Sequence, residues 1–161
     1  MDPFRELMSK KSEYVWTPAL QTAFDKARVE IVDLVQKGVK SFKLGAWTCL
    51  VTDWSRRGVG YVLWQKRCRC VRIHPTCCAS GWAMVICGSR FCTPAETRYH
   101  PIEGELLGVA WGLEKTKMFM LGCERLLIMV DHKPLIGLLT NRELVEIENP
   151  RLMHLTEMLL R

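Results

Sequence analysis

Three short acidic motifs hold the residues best suited to chemistry: T-D-W-S at Thr52–Ser55, E-G-E-L at Glu103–Leu106 and V-D-H-K at Val130–Lys133. Asp53 ends the run Cys49-Leu50-Val51-Thr52, Asp131 ends Leu126-Leu127-Ile128-Met129-Val130, and Glu105 opens a helical pattern. Each carboxylate is therefore expected in or beside a buried stretch. A carboxylate against a core needs a partner. Two of them at about 4 Å repel by about 4 kcal/mol at an effective dielectric near 20. Three that converge require a cation, or some must stay protonated. The motifs point to a divalent metal site, provided the fold brings them together.

A second group is of a different kind. Cys68, Cys70, Cys77 and Cys78 fall within one short stretch, with His74 among them. Soft thiolates and imidazole suit Zn²⁺ in tetrahedral geometry, although C-x-C…H…C-C is not a standard finger spacing. The competing reading is a cysteine-rich loop without metal. Cys49, Cys87, Cys92 and Cys123 are scattered and read as small core hydrophobes. His132, beside Asp131, is expected to pack or make a local hydrogen bond rather than move protons. Of the tryptophans, Trp16, Trp47, Trp64, Trp82 and Trp111 lie in or beside apolar periodic stretches and are expected mostly in the core.

The elements that must position these groups follow from the pattern. The 161 residues suffice for one core and a short appendage. No apolar run is long enough for a membrane helix, so no membrane partner is expected. The start, Met1-Asp2-Pro3-Phe4-Arg5, lacks a signal-peptide pattern, which predicts an intracellular protein with reduced thiols. The net charge of +6 suits an anionic partner such as nucleic acid, and equally a soluble basic domain.

Residues Met1–Ser12 read as a frayed lead-in. Thr17-Pro18 starts a helix as N-cap and first position. Its apolar stripe is Leu20, Phe24, Ala27, Ile31, Leu34 and Val35, and Gly38 ends it. Trp47–Asp53, a turn at Ser55-Arg56-Arg57-Gly58, and Val59–Gln65 predict a hairpin, with Gly60 a place for close backbone approach. The insertion Lys66–Gly81 precedes a strand over Trp82–Cys87. Pro101 opens a long helix with the stripe Ile102, Leu106, Val109, Ala110, Leu113 and Met120, closed by Gly122. A strand over Leu126–Asp131, a short helix over Pro134–Leu139 and a last helix capped by Asn149 complete the order. The crossover helix predicts one parallel pairing in a mixed sheet.

These motifs, in this order, resemble the RNase H domain of reverse transcriptases, and among them the gypsy-type LTR retrotransposon family. The resemblance rests on T-D-W-S-R-R-G-V-G-Y-V-L (Thr52–Leu63), G-S-R (Gly88–Arg90), A-E-T-R-Y (Ala95–Tyr99), P-I-E-G-E-L-L-G-V-A-W (Pro101–Trp111), V-D-H-K-P-L (Val130–Leu135) and N-P-R-L (Asn149–Leu152). It runs from about Tyr14 to the last residue. It implies an α/β fold: an RNase H-like mixed β-sheet flanked by helices, with an N-terminal helical connection segment. Residues 1–45 would be that connection and residues 46–161 the RNase H-like domain, truncated at its C-terminus.

The resemblance also implies an endoribonuclease that cuts the RNA strand of an RNA/DNA hybrid by two-metal-ion phosphodiester hydrolysis. Asp53, Glu105 and Asp131 would be the catalytic residues and ligands of Mg²⁺ or Mn²⁺. Helical periodicity does not choose between Glu103 and Glu105; the Glu-Leu-Leu context of the family favours Glu105. Arg56, Arg57 and Lys133 are expected on the phosphates, with Lys66, Arg67, Arg69 and Arg72 as further basic residues near the hairpin. A solvated charged surface is the competing reading for each. The partners implied are the hybrid and the remainder of a retroelement polyprotein. The placement implied is cytoplasmic, nuclear or within virus-like particles. The family carries a fourth carboxylate after the last helix, and this sequence stops at Arg161, so metal binding is the firmer expectation and turnover the weaker. The alternatives are a non-catalytic RNase H-fold module that binds nucleic acid or a polyprotein partner, and a zinc-stabilised interaction domain built on the cysteine insertion.

Overall fold

The computed structural model describes Phe4, Leu7 and residues 13–78, 81–141 and 144–159, with the side chains of 34–37 and 145 also outside the description. Most of the lead-in Met1–Ser12, and the stripe positions Leu34 and Val35, lie outside the described residues. The chain forms two compact units, Met1–Val39 and Lys40–Arg161.

In the first unit, α1 spans Pro18–Gly38. Thr17 Oγ1 accepts from the Leu20 N–H at 3.3 Å, the expected N-cap, and Gly38 leaves the helix with φ +118°. The expected apolar stripe is only partly covered. Leu20 is buried, whereas Phe24 and Ile31 face solvent. Trp16 is exposed rather than in a core, lying edge-on to Phe24 with centroids 5.9 Å apart.

The second unit is built on a four-stranded sheet of order β3-β2-β1-β4. The strands are β1 (Thr48–Trp54), β2 (Gly58–Lys66), β3 (Trp82–Phe91) and β4 (Leu126–Met129). β1 and β2 form the expected antiparallel hairpin, closed by Ser55, whose Oγ accepts from the backbone N–H of Arg57 and Gly58. Among the described residues one pairing is parallel, and it joins β4 to β1 rather than to β3, from which the crossover starts, with Leu50 opposite Ile128 and Val51 opposite Met129. The chain leaves β3 at one edge, crosses through the helix α2 (Pro101–Met120) and returns at the other edge. β4 ends at Met129, so Asp131 lies beyond the strand, just before α3 (Lys133–Asn141). α4 spans Pro150–Leu159, and Asn149 Oδ1 accepts from the backbone N–H of Arg151 and Leu152 at its start.

α2 is not amphipathic in the simple sense that its stripe suggests. Every residue from Glu103 to Ala110 is buried, because neighbours cover the helix from two sides. Leu106, Leu107, Val109 and Ala110 pack with Leu135 and Leu138 of α3, Leu152 and Leu155 of α4, and Ile147. A second cluster joins Leu50, Tyr61, Leu63 and Val85 of the sheet to Trp111, Phe119 and Met120 at the far end of the helix.

Glycines recur at every fourth position where α2 crosses β1, and two of the three set the approach. A Cβ on Gly104 would fall on the Trp54 indole, and one on Gly112 would lie 3.0 Å from Thr52 Cγ2. At Gly108 the nearest atom would be 3.5 Å away, an ordinary contact. Gly60, expected to admit a neighbouring backbone, would also meet nothing nearer than 3.6 Å; in β2 the close approach is at Gly58, 2.9 Å from the Arg90 carbonyl oxygen.

The motifs G-S-R and A-E-T-R-Y serve the frame. Arg90 Nη1 and Nη2 donate to Glu96 Oε2 and Oε1, both at 2.7 Å, and the Thr93 N–H donates to the same Glu96 carboxylate. Arg90 also lies over the Trp111 ring at 5.4 Å. The end of β3 is thereby tied to the turn that leads into α2.

Helix propensity favours Ala over Gly by about 1 kcal/mol, so Gly108→Ala is expected to raise stability by up to about that amount. Gly104→Ala is expected to do the opposite, costing about 1–3 kcal/mol because the indole must move. Urea denaturation of the two variants checks the sign at each position.

Candidate metal centre

Each of the three expected carboxylates is carried by a different element. Asp53 is the penultimate residue of β1, Glu105 lies in the second turn of α2, and Asp131 follows β4. The β1–β4 pairing sets the ends of those two strands side by side, and the glycine contacts bring the start of α2 over the end of β1. One carboxylate oxygen from each residue then lies within 4.8 Å of the others. Of the three, Glu105 is itself buried, whereas Asp53 and Asp131 are exposed at the ends of their apolar stretches. Thr52 and Trp54 turn towards α2, and Asp53 between them is exposed near the end of β1, with its carboxylate still close to that of Glu105. Asp131 is exposed because the chain has already left the sheet.

Glu105 carries the electrostatic cost. Burial raises its pKa first, then the negative charges of Asp131 and Asp53, bringing it to about 7 despite a donation from the Trp54 N–H. Its Oε2 is buried and has no hydrogen-bond partner. A buried carboxylate with one oxygen lacking a donor, close to two other carboxylates, has the chemistry of a cation ligand. The donors are all oxygen, which suits a hard divalent ion such as Mg²⁺ or Mn²⁺.

Glu103 is equally buried and differently occupied. Its Oε2 accepts from the His100 N–H and Arg151 Nη1, both at 2.9 Å, and its Oε1 accepts from Asn149 Nδ2 at 3.0 Å. Burial opposes its ionisation, but these donations outweigh it and lower its pKa. Arg151 in turn lies over the Tyr99 ring at 4.4 Å. Glu103 therefore caps α2 and holds the start of α4, while Glu105 joins the carboxylate cluster. The N-P-R-L motif is the partner of Glu103, a link that its distance along the chain concealed.

Arg56 and Arg57 in the β1–β2 turn and Lys133 at the start of α3 are all exposed. His132 is half-buried, and its Nδ1 is buried without a partner. A depression of about 360 Å³ lies beside Asp53, lined in part by Gly60, Gly88 and Ser89.

The four thiols of the insertion also converge. The Sγ atoms of Cys68, Cys70, Cys77 and Cys78 all lie within 4.8 Å of one another. His74 is not among them: it is exposed and its Nδ1 pairs with Thr76 Oγ1 at 2.8 Å. Of the scattered cysteines, Cys49 and Cys92 are buried as expected, whereas Cys87 is exposed and Cys123 half-buried.

The two glutamates should respond to pH with opposite signs. Glu105 has a folded pKa raised from 4.5 to about 7, so it binds a proton more readily in the folded state. Stability is therefore lost as pH rises from about 4.5 to about 7, by at most about 3 kcal/mol. In metal-free protein, the stability difference between Glu105→Gln and the parent should move in the variant's favour across that window. Glu103, with a lowered pKa, contributes stability above its ordinary 4.5 that is lost as pH falls. At neutral pH Glu103→Ala should cost about 1–3 kcal/mol, because Asn149 and Arg151 lose their acceptor. Denaturation midpoints of the two variants across pH 4–8 test both.

A sequence model of the RNase H-like domain found in reverse transcriptase matches residues 43–161. No curated protein sequence matches the chain. Among solved structures, the foamy viral protease-reverse transcriptase dRH in complex with ds DNA is 12% identical, with a TM-score of 0.56 over 93% of this chain and 26% of that one. The foamy viral protease-reverse transcriptase in complex with dsDNA is 12% identical, with a TM-score of 0.51 over 94% of this chain and 29% of that one. This chain thus spans between a quarter and a third of the length of those proteins. At such identity the likeness is one of fold, and the mixed sheet with its flanking helices is RNase H-like. The family match covers most of the chain, including both clusters, so this chain belongs to the RNase H-like domains found in reverse transcriptases.

Proposed function

We propose that the domain is a metal-dependent endoribonuclease that cuts the RNA strand of an RNA/DNA hybrid, as part of a gypsy-type retrotransposon polyprotein. The observation that carries this reading is the convergence of Asp53, Glu105 and Asp131, with one oxygen of Glu105 buried and unpartnered. In this reading the three residues hold divalent ions, Mg²⁺ or Mn²⁺. Such ions, when bound, supply activation of water and neutralisation of charge at the phosphorus.

The chain's own residues prepare the site for that role. Glu105 must be ionised to serve, and its raised pKa means that a cation and a proton compete for it near neutrality. The Trp54 N–H orients its carboxylate. Asp53 and Asp131 are exposed, so a phosphodiester can approach them from solvent. Arg56, Arg57 and Lys133 border the same end of the sheet as exposed cations suited to phosphate. The depression beside Asp53, with glycines in its lining, offers room for a sugar-phosphate backbone to come close. The foamy viral structures hold double-stranded DNA, which agrees with a nucleic-acid partner for this fold.

Cleavage of a labelled RNA/DNA hybrid by the chain in Mg²⁺ and in Mn²⁺ tests the reading. Asp53→Asn should lower the rate by on the order of 100-fold or more. Cleavage that ignores this substitution, or hybrid binding without metal-dependent cleavage, would overturn it; the latter result belongs to a non-catalytic RNase H-fold module. Mg²⁺ should also raise the melting temperature of the parent and leave that of Asp53→Asn little changed. Arg56→Ala and Arg57→Ala should each weaken hybrid binding and reduce the slope of log affinity against log salt by about 1.

A further inference from the structure

The connection from β2 to β3 is chemically unusual. It runs from Arg67 to Gly81 without helix or strand among its described residues. Hairpin loops are ordinarily about 2–5 residues long. A longer one needs something else to hold it, and this loop buries little apolar surface: Val71 is almost fully exposed and Ile73 is exposed too.

It carries instead four free thiols that face one another. Cys68 Sγ lies 3.4 Å from Cys77 Sγ, and Cys77 Sγ lies 4.0 Å from Cys78 Sγ. Zinc–sulfur bonds of about 2.3 Å in a tetrahedron set the sulfurs about 3.8 Å apart, between these two distances. A cluster of two irons would divide the cysteines between two metals; here all four Sγ atoms lie within 4.8 Å of one another, which suits one ion.

The backbone is shaped around the same point. The Cys70 N–H donates to Cys68 Sγ. The Cys77 N–H donates to the His74 carbonyl at 2.9 Å and the Gly81 N–H to the Cys78 carbonyl at 3.2 Å, closing two turns. The Gly81 carbonyl accepts from the N–H of Arg67 at 2.7 Å and of Cys68 at 3.3 Å, joining the two ends of the loop. A Cβ on Gly81 would lie 2.5 Å from Cys78 Sγ and 2.9 Å from the Sγ atoms of Cys68 and Cys77. The glycine leaves open the space between the thiols.

We propose that Cys68, Cys70, Cys77 and Cys78 hold one zinc ion in a tetrahedral all-thiolate site that staples the β2–β3 loop. Four thiolates around Zn²⁺ carry a net charge of −2, and Lys66, Arg67, Arg69 and Arg72 supply compensating positive charge in the same stretch. The Lys66 ammonium already donates to the Cys70 carbonyl. The site is separate from the carboxylate cluster. Asp53 pairs with Gly60, and the loop begins only after Lys66, roughly 20 Å further along β2 at a rise of about 3.3 Å per residue. Soft sulfur at one end of the sheet and hard oxygen at the other select different metals.

The test uses the whole chain, purified under reductant. Bound zinc is measured by mass spectrometry, and Co²⁺ is substituted for it and followed by absorption. The expected result is about one zinc per chain, with thiolate-to-cobalt charge transfer and the strong visible bands of a tetrahedral site. Cys70→Ser and Cys77→Ser should lose the metal, and Gly81→Ala should lower its occupancy. Asp53→Asn and Cys87→Ser should keep it. The proposal is overturned by reduced protein that takes up neither zinc nor cobalt, by a cobalt spectrum without thiolate charge transfer, or by disulfides among the four in protein purified under reductant. Zinc lost in Asp53→Asn but kept in Cys77→Ser would place the ion on the carboxylates and overturn it equally. The cobalt spectrum of the parent chain decides even where a serine variant fails to fold.

Discussion

The packing of α2 against β1 is the constraint on which the rest of the second unit depends. The helix comes so close at its first turn that Gly104 leaves no space for a Cβ above the Trp54 indole. That proximity buries Glu105 beside the end of β1. It also leaves the opposite side of the helix free to be covered by α3 and α4, which gives the unit its larger core cluster. A helix one side chain further away would still form a layer over the sheet, but the Glu105 carboxylate would retreat from Asp53. Core packing and site geometry are consequences of the same contact.

The contact creates an imbalance of charge, and the fold handles its two buried glutamates in opposite ways. Glu103 is surrounded by donors from the helix start and from α4, and its ionised form is favoured. Glu105 receives one backbone donation and faces two like charges, and its ionised form is disfavoured. Only two positions separate them, which on a helix is about 200° of rotation. One therefore points to the helix-capping region and the other to the strand ends. The first acts as a strut. The second carries an electrostatic cost that a divalent cation would relieve, which is the physical basis for reading the cluster as a metal centre.

The sheet separates two kinds of donor. Carboxylate oxygens gather where β1 ends, β4 ends and α2 begins, as the parallel β1–β4 pairing requires. Thiol sulfurs gather at the opposite end of β2, where the long connection to β3 has little apolar surface of its own to bury. The first group depends on the tertiary frame for its assembly. The second lies within a single loop and depends on local turns, so its geometry is closer to being a property of one segment.

Much of this was legible in the chain. The element order, the hairpin turn, the Thr17 and Asn149 caps and the three acidic motifs follow from spacing, because caps, turns and strand alternation are local. The motifs also carried the family resemblance, and the Glu-Leu-Leu context favoured Glu105. Other features needed the folded molecule. Periodicity put Glu103 and Glu105 on equal terms; the distant Asn149 and Arg151 on the first, and Asp53 and Asp131 near the second, separate them. The single stripe read along α2 missed that the helix is covered on two sides. Asp53 and Asp131 follow apolar runs in sequence, yet both face solvent, one near the end of β1 and one because β4 ends early. That β4 pairs with β1, and that His74 stays out of the thiol cluster, were likewise settled in three dimensions. The sequence by itself determined which groups are present and which local elements carry them. The tertiary structure decided which of those groups meet, since convergence depends on long-range packing distances that no local pattern encodes.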